Sequence, residues 1–276
     1  MSGTFYVIGT PIGNLGDITL RQLDILGSVD FICAEDTRVT LKLLNRYEIK
    51  KQLISFHEHS SLIDAQRIID RLLDGENCGI VTDAGMPCIS DPGEILVKMC
   101  AENNIDVRVV PGPSAVISAI SISGLTTKRF TFEGFLPVSK KQRLERLEKL
   151  KNETAVMVFY EAPHKLRVTL SDLTDSFGGE RKISICRELT KIHEEVLRIT
   201  LAEAMDYYSK IEPKGEFVLV VDGAEENDGE SITIQQAIEQ VKKLVEMGER
   251  PVDACKAIAK ESNFKKSELY SAFCSE

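Results

Sequence analysis

Short apolar runs that alternate with amphipathic stretches constrain the fold of this chain most. Five such runs, bounded by Gly, Pro or polar residues, occupy 5–9, 31–34, 52–56, 78–82 and 107–110. The stretches between them repeat apolar residues with the period of an amphipathic helix. Buried strands that alternate with helices form a mainly parallel sheet with helices on its faces. The first half of the sequence therefore predicts an α/β fold.

A second series of strands follows the first. Its apolar runs and the helical patterns among them occupy 130–132, 144–150, 155–160, 166–177, 183–186, 196–200 and 217–221. The short connection between the strands at 183–186 and 196–200 predicts an antiparallel pair. We therefore expect two consecutive α/β domains, at 1–112 and 113–223.

The last part of the chain has a different pattern. AEENDGE at 224–230 is acidic and lacks periodicity, which predicts a linker. Residues 231–276 have helical spacing throughout, with a break at Ser262 and Asn263 that is compatible with a helix-turn-helix. Few cations lie near its second helix, so sequence reading of DNA is not expected.

Composition excludes several classes of protein. Of the 276 residues, 43% are hydrophobic and 28% charged, which is typical of a folded globular chain. No apolar run approaches the roughly 18 residues of a membrane span, so a cytoplasmic address without a membrane partner is expected. The net charge of −9 argues against a free-standing nucleic-acid binder, because attraction to phosphate needs clustered cations. Seven scattered cysteines without a C-x-x-C pair predict reduced core thiols.

Three loops follow strands of the first series. GTPIGNLGD at 9–17 lets backbone approach a ligand, but its glycine spacing matches neither the dinucleotide fingerprint nor the phosphate loop. TDAGMPCISDPG at 82–93 is a long loop at a strand's carboxyl end, where open α/β sheets bind ligands. PGPSA at 111–115 has the same position after the next strand. We expect one shared pocket, in which Asp83 and Asp91 accept from a ligand; alternatively, Asp91 caps the helix that follows.

Eight motifs in chain order resemble one family. The motifs are GTPIGNLGDIT, AEDTR, FHEHS, DAGMPCISDPG, PGPSA, FEGFLP, FYEAPHK and KGEFVLV. They resemble the tetrapyrrole methylase (class III) superfamily of S-adenosylmethionine-dependent methyltransferases, and within it the branch that methylates ribose in small-subunit ribosomal RNA. One motif alone would be weak, whereas eight in order over residues 1–223 are specific. The helical tail resembles the small helix-turn-helix extension of the same branch.

The resemblance implies a ligand cleft between two α/β domains, with S-adenosylmethionine as methyl donor. It also implies a homodimer that methylates the ribose 2′-hydroxyl of cytidine 1402 in 16S rRNA of the small ribosomal subunit. Donor contacts carried over from matching motifs are Ile12, Asp83, Ala84, Gly85, Cys88, Ser114, Ala115, Tyr160 or Glu161, Leu189, and Lys214 or Gly215. Broader members have Gly-Gly-Asp where this chain has Asp-Ala-Gly at 83–85, which displaces the acid by two positions.

Methyl transfer to a hydroxyl needs in-line placement and a destination for the hydroxyl proton. Glu35, Asp36 and Arg38 end the second strand, where a carboxylate can act as base and the guanidinium can hold RNA phosphate. We expect Asp36 to be the base. Glu35-Asp36-Thr37 is also a good helix start, so a structural role is an open alternative.

Basic residues cluster once, in SKKQRLERLEKLK at 139–151. A solvated amphipathic helix explains most of this pattern, and RNA contacts are expected through Lys140, Lys141 and Arg143. His57 and His59 alternate at a strand end and so face the same way, for substrate contact or for ordinary loop packing. No third ligand accompanies them, so no metal is expected.

Two other functions fit the residues. A tetrapyrrole methylase of the same fold would act on a uroporphyrinogen-type substrate, and a helix-turn-helix regulator with an α/β sensor domain would bind DNA. AEDTR and FEGFLP favour RNA through the resemblance, whereas composition cannot choose. The expected activity is RNA ribose methylation, with no DNA partner.

Overall fold

The computed structural model describes residues 2–225, 233–262 and 264–274. The chain divides into two compact units, Met1–Gly223 and Ala224–Glu276. The predicted linker at 224–230 lies outside the described residues from position 226 onward. The boundary predicted at residue 112 stays a prediction, although the first unit contains two separate sheets.

The first sheet is parallel throughout, as the alternation of strands and helices predicts. The strands are β1 (Thr4–Ile8), β2 (Phe31–Ala34), β3 (Gln52–Ser55), β4 (Cys78–Val81) and β5 (Asp106–Val110). Their order in the sheet is β3-β2-β4-β1-β5. The helices of this half are α1 (Leu20–Ser28), α2 (Thr37–Arg46), α3 (Leu62–Leu73), α4 (Glu94–Glu102) and α5 (Ala115–Ile122).

Both faces of the first sheet are buried. In β2, Phe31 and Cys33 join an apolar cluster with α3 and α4, whereas Ile32 and Ala34 join a second cluster with Leu26 and its neighbours. Successive side chains of a strand point to opposite faces, so a strand covered on both sides reads as a continuous apolar run. This explains why FICA shows no polar alternation.

The strands of the second sheet are β6 (Phe130–Phe135), β7 (Val156–Glu161), β8 (Lys182–Arg187), β9 (Glu195–Thr200) and β10 (Phe217–Val221). Their order in the sheet is β6-β7-β10-β8-β9. Its helices are α6 (Lys140–Leu150), α7 (Leu166–Phe177) and α8 (Leu201–Lys210). Strands β6 and β7 pair in parallel, and the other pairs are antiparallel, which confirms the predicted β8–β9 pair.

The described residues of the second unit form three helices, α9 (Ile234–Glu246), α10 (Pro251–Glu261) and α11 (Lys266–Cys274). Its apolar core includes Val241, Ala254 and Leu269. The helical tail is therefore confirmed. Ser262 lies between α10 and α11 as predicted, whereas Asn263 lies outside the described residues. In the described part of the chain, no helix is long and apolar enough to span a membrane.

All seven cysteines are free thiols. The prediction of core thiols is confirmed for the five buried ones, Cys33, Cys78, Cys100, Cys186 and Cys255. Cys88 is partly buried. The prediction is wrong for Cys274, which is exposed at the end of the last helix.

Candidate functional site

A cavity of about 590 Å³ lies between the loops of the first sheet and one face of the second. The first half of the chain contributes Ile12, Ala84, Gly85, Met86, Ile89, Ser90, Asp91, Ser114, Ala115, Val116 and Ile117. The second half contributes Phe130, Phe132, Phe135, Tyr160, Glu161, Ala162, Pro163, Cys186, Leu189, Glu216, Phe217 and Val218. The carboxyl ends of β1, β4 and β5 therefore meet at one pocket.

Backbone contacts hold these three loops together. The N–H of Thr10 donates to the Gly85 carbonyl (2.8 Å), and the N–H of Gly85 donates back to Thr10 (3.2 Å). Gly9 is packed so closely that a Cβ there would lie 2.7 Å from the Cα of Gly112. The Gln22 side chain donates to the Gly9 carbonyl at 2.6 Å. Glycine at position 9 therefore lets the loops after β1 and β5 pass close to each other, in addition to letting the backbone approach a ligand.

The loop after β4 has a strained backbone. Cys88 and Ser90 adopt φ values of +68° and +62°, in the left-handed region that residues with a Cβ avoid. Gly85 and Gly93 take positive φ values of +89° and +124°. Strain of this kind persists where surrounding structure enforces it, often beside a functional site. The resulting path brings Ile89, Ser90 and Asp91 to the cavity wall.

The expectation that Asp91 caps the next helix is wrong. Helix α4 begins at Glu94, and its N-cap is Gly93. Asp91 instead lines the cavity, and in the described chain it has no hydrogen-bond or ion-pair partner. Burial raises the pKa of its carboxyl to about 6, and the negative charges of Glu35 and Asp83 add to this effect.

Glu35 and Asp83 connect the ends of two neighbouring strands. The backbone N–H of Asp83 donates to Glu35 Oε2 (3.4 Å), and the N–H of Asp36 donates to Asp83 Oδ1 (3.2 Å). Partial burial raises the pKa of both Glu35 and Asp83. With Asp91 they form a group of mutually repelling carboxylates at this edge of the sheet.

Asp36 is the N-cap of α2, where its Oδ1 accepts from the N–H of Arg38 at 2.8 Å. Its Oδ2 lies 2.6 Å from the Arg38 guanidinium. The hydrogen bonds from Arg38 lower the pKa of Asp36 to about 2, so it is a weak proton acceptor. The Arg38 side chain is 86% exposed, so its guanidinium is accessible to a phosphate. The roles predicted for these two residues stay predictions.

Eight of the expected donor contacts line the cavity: Ile12, Ala84, Gly85, Ser114, Ala115, Tyr160, Glu161 and Leu189. Asp83, Cys88, Lys214 and Gly215 are not part of its lining. Cys88 packs instead against the apolar cluster of the first sheet, and Lys214 is exposed beside Glu212. Because β10 begins at Phe217, residues 216–218 form this part of the cavity wall, and Lys214 and Gly215 do not. Donor binding by all twelve residues stays a prediction.

The basic segment splits into buried and exposed parts. Arg143 is only 9% exposed, and its guanidinium contacts Asp172 (2.6 Å) and the carbonyls of Pro137 and Val138. These contacts occupy Arg143 within the fold, so the expectation that it meets RNA phosphate is corrected. Lys140 and Lys141 are exposed at the start of α6 and remain accessible.

His57 and His59 are not on a strand, because β3 ends at Ser55. A turn holds them, in which the N–H of His59 donates to His57 Nδ1 (3.2 Å) and the rings lie 6.1 Å apart. Both are exposed and outside the cavity lining, so their predicted contact with RNA stays a prediction. In the described residues, no group of three His, Cys, Asp or Glu side chains could hold a metal ion.

Comparison with known proteins agrees with this fold. Residues 4–205 match the family described as Tetrapyrrole (Corrin/Porphyrin) Methylases. A Synechocystis protein is 42% identical over 268 residues, covering 97% of this chain and 96% of its own length. A Bacillus subtilis protein is 41% identical over 278 residues, covering 98% and 94%. Both are named Ribosomal RNA small subunit methyltransferase I.

A Thermotoga maritima protein of the same name is 48% identical over 223 residues, which cover all of it and 81% of this chain. Among solved structures, the methyltransferase CobJ superposes with a TM-score of 0.62 at 18% identity, covering 81% of this chain and 95% of CobJ. Diphthine synthase superposes with a TM-score of 0.57 at 11% identity, covering 80% and 90%. Such low identities show the fold alone, whereas the sequence matches show the family. This chain therefore belongs to the tetrapyrrole (corrin/porphyrin) methylase family.

Proposed function

We propose that this chain transfers a methyl group from S-adenosylmethionine to the 2′-hydroxyl of the ribose of cytidine 1402 in 16S rRNA. The observation that carries the proposal is its identity of 41–42% over nearly the whole length of relatives named Ribosomal RNA small subunit methyltransferase I. The motifs at the strand ends give the same assignment. The solved neighbours support the fold and do not select the substrate.

The cavity suits a cationic donor. When bound, S-adenosylmethionine supplies a methyl group on a positively charged sulfur. Asp91, Glu161 and Glu216 line the cavity, and its described lining includes no Lys, Arg or His. A cleft lined by one sign of charge attracts the opposite sign. These carboxylates therefore favour a sulfonium, and they attract the neutral thioether product less, which favours its release.

We assign the hydroxyl proton to Asp91 in place of Asp36. Asp91 lines the cavity without a partner in the described chain, and its pKa of about 6 is close to working pH. Such a carboxylate is ionised at neutral pH and still basic enough to accept a proton. Asp36 has a pKa of about 2 and is paired with Arg38. The negative charge of Glu35 contributes to the raised pKa of Asp91, which supports a positioning role for Glu35.

Contact with RNA is proposed at exposed cations outside the cavity lining. Arg38 can exchange Asp36 for a phosphate because an exposed ion pair is weak. Lys140 and Lys141 offer further charge, and His57 and His59 are proposed to contact the same strand. Few cations are involved and the chain is acidic, so binding to naked RNA should be weak. We propose that a homodimer acts on the assembled small subunit in the cytoplasm.

Transfer of labelled methyl groups tests the function. Small subunits from cells that lack the activity are incubated with the protein and labelled S-adenosylmethionine, beside naked 16S rRNA and uroporphyrinogen. A 2′-O-methyl group blocks alkaline cleavage, so the label should appear in an alkali-resistant dinucleotide that contains cytidine. Label on a base, or on uroporphyrinogen alone, would refute the proposal. Equal rates on naked rRNA would refute only the preference for assembled subunits.

A further inference from the structure

Strand β6 contains an irregularity beside the cavity. It pairs Phe130 with Val156 and Phe132 with Val158, but then Phe135 with Tyr160, because the register shifts between Phe132 and Gly134. An unbroken strand would turn residue 135 to the face opposite Phe132. The extra residue of the bulge reverses this, so three phenylalanines lie on one face.

Local contacts fix the bulge. Gly134 has a φ of +64°, a conformation that glycine adopts without a steric penalty. The carboxylate of Glu133 pairs with Arg146 of α6 and is almost fully buried, so this side chain is held on the opposite face. The bulge thus brings Phe135 to the cavity in one orientation.

Phe135 is an exposed ring on a supported wall. It is 60% exposed, although it lines the cavity, and Phe130 at the same wall is 42% exposed. The Phe135 ring centroid lies 5.5 Å from that of Tyr160, whose ring lies 5.0 Å from that of Phe132. Tilted and edge-to-face pairs at these distances stabilise aromatic rings. The second face of Phe135 therefore remains available to a flat ligand.

We propose that Phe135 stacks against the nucleobase of the nucleotide whose ribose is methylated, and so positions the 2′-hydroxyl at the cavity; this inference rests on the proposed function. Enzymes that modify a base inside a strand extrude the nucleotide into a pocket, and a nucleotide that placed its ribose in this cavity in the same way would lose the stacking of its base. Aromatic side chains then replace the lost stacking, with little dependence on base identity. Phe135 is exposed where such a base would enter.

Charge at the site favours a base over a phosphate as the group that meets this wall. Asp91 and Glu216 line the same cavity and repel an anion. An uncharged, flat base avoids that repulsion, whereas phosphates can contact the exposed cations outside the cavity. The adenine of the donor is also flat, so the test must separate donor binding from RNA binding.

The test compares Phe135→Ala, Phe135→Leu and Phe135→Trp in the full chain. Calorimetry measures the Kd for S-adenosylmethionine, and initial rates on small subunits measure KM and kcat/KM. From the usual effect of removing a stacking ring, Phe135→Ala should raise the KM for subunits roughly 5- to 150-fold and leave the donor Kd within about twofold. Phe135→Trp should restore the KM, and Phe135→Leu should not.

Val138→Ala is the matched control, because Val138 is an exposed apolar residue of the same segment that does not line the cavity. It should leave both constants unchanged. Weaker binding of S-adenosylmethionine with an unchanged KM for subunits would mean that the Phe135 ring contacts the donor. Full recovery of the KM in Phe135→Leu would mean that the ring provides only apolar contact. Either result overturns the inference. Normal kinetics of Phe135→Ala in an assay where wild type methylates subunits would overturn it while the proposed function survives.

Discussion

Replacing Asp91 by Asn should make the protein more stable and much less active. The change keeps the size of the side chain but removes its negative charge and its ability to accept a proton. Loss of a general base lowers the rate roughly 10²- to 10⁴-fold. Single-turnover rates at saturating donor and small subunits measure this step directly, since product release does not contribute.

The stability effect follows from the raised pKa. In the fold the carboxyl pKa rises from 3.8 to about 6, because the ionised form is poorly solvated and lies near Glu35 and Asp83. Stability due to this group is therefore present below pH 4 and lost as the pH rises through 6. Such a shift is worth about 3 kcal/mol in an enclosed site, and partial exposure of Asp91 reduces it to about 1 kcal/mol.

Urea unfolding of wild type and Asp91→Asn at pH 4 and pH 7.5 measures that difference. The variant should be more stable by about 1 kcal/mol at pH 7.5 and equal to wild type at pH 4. The single-turnover rate of wild type should fall about tenfold between pH 7.5 and pH 5, because a group with a pKa near 6 is mostly protonated at pH 5.

Asp36→Asn is the matched control, because Asn also caps helices. Its rate should stay within about threefold of wild type and follow the same pH profile. A near-normal single-turnover rate for Asp91→Asn, or a large loss for Asp36→Asn alone, would refute the assignment. The first outcome would leave Glu35 or solvent as the proton's destination.

Three further results are expected. A chain that ends at Gly223 should bind S-adenosylmethionine with unchanged affinity in calorimetry, because the cavity lies within the first unit. The Thermotoga relative is shorter than this chain by about the length of the second unit. Loss of binding by the folded, shortened chain would contradict this expectation. Arg143→Ala should lower the free energy of unfolding by about 3–5 kcal/mol, since Asp172 would keep a buried, unpaired charge. Lys141→Ala should leave stability unchanged and reduce the salt dependence of RNA binding by about one phosphate contact. The reverse pattern in denaturation and binding titrations would restore Arg143 as an RNA contact. Donor binding near pH 6 should release protons, because a sulfonium favours the ionised form of Asp91. Calorimetry in buffers of different ionisation enthalpy measures the number of protons released. No proton release would mean that the sulfonium and Asp91 do not interact.

The sequence predicted the strands well because burial on both faces leaves a strong signal. The limits of β2 and β10 agree with the apolar runs, whereas β6 extends three residues beyond its predicted end. The extension depends on pairing with β7 across a bulge, which a pattern within one segment does not show. Helix α8 was not predicted; it starts with a capping box between Thr200 and Glu203.

The site was predicted less completely, because charge and backbone conformation depend on distant partners. Arg143 belongs to a cationic run in the sequence, but its partner Asp172 lies 29 positions away on another helix. Asp91 precedes a proline and resembles a helix cap, yet the positive φ values at Cys88 and Ser90 alter the path of the loop. The one signal for Asp91 in the sequence was its position as the second aspartate of a long loop at the end of a strand.

An apolar cluster that includes part of the cavity lining limits how the two sheets can move. Ile12, from the loop after β1, packs with Val116 of α5 and with Val158 and Val218 of the second sheet. Swinging the sheets apart on a hinge would expose this shared core to water, at about 25 cal/mol for each Å² of apolar surface. The cleft is therefore preorganised, and ligands must enter and leave through its mouth. Amide hydrogens of α5 should accordingly exchange as slowly as those of the strands on either side.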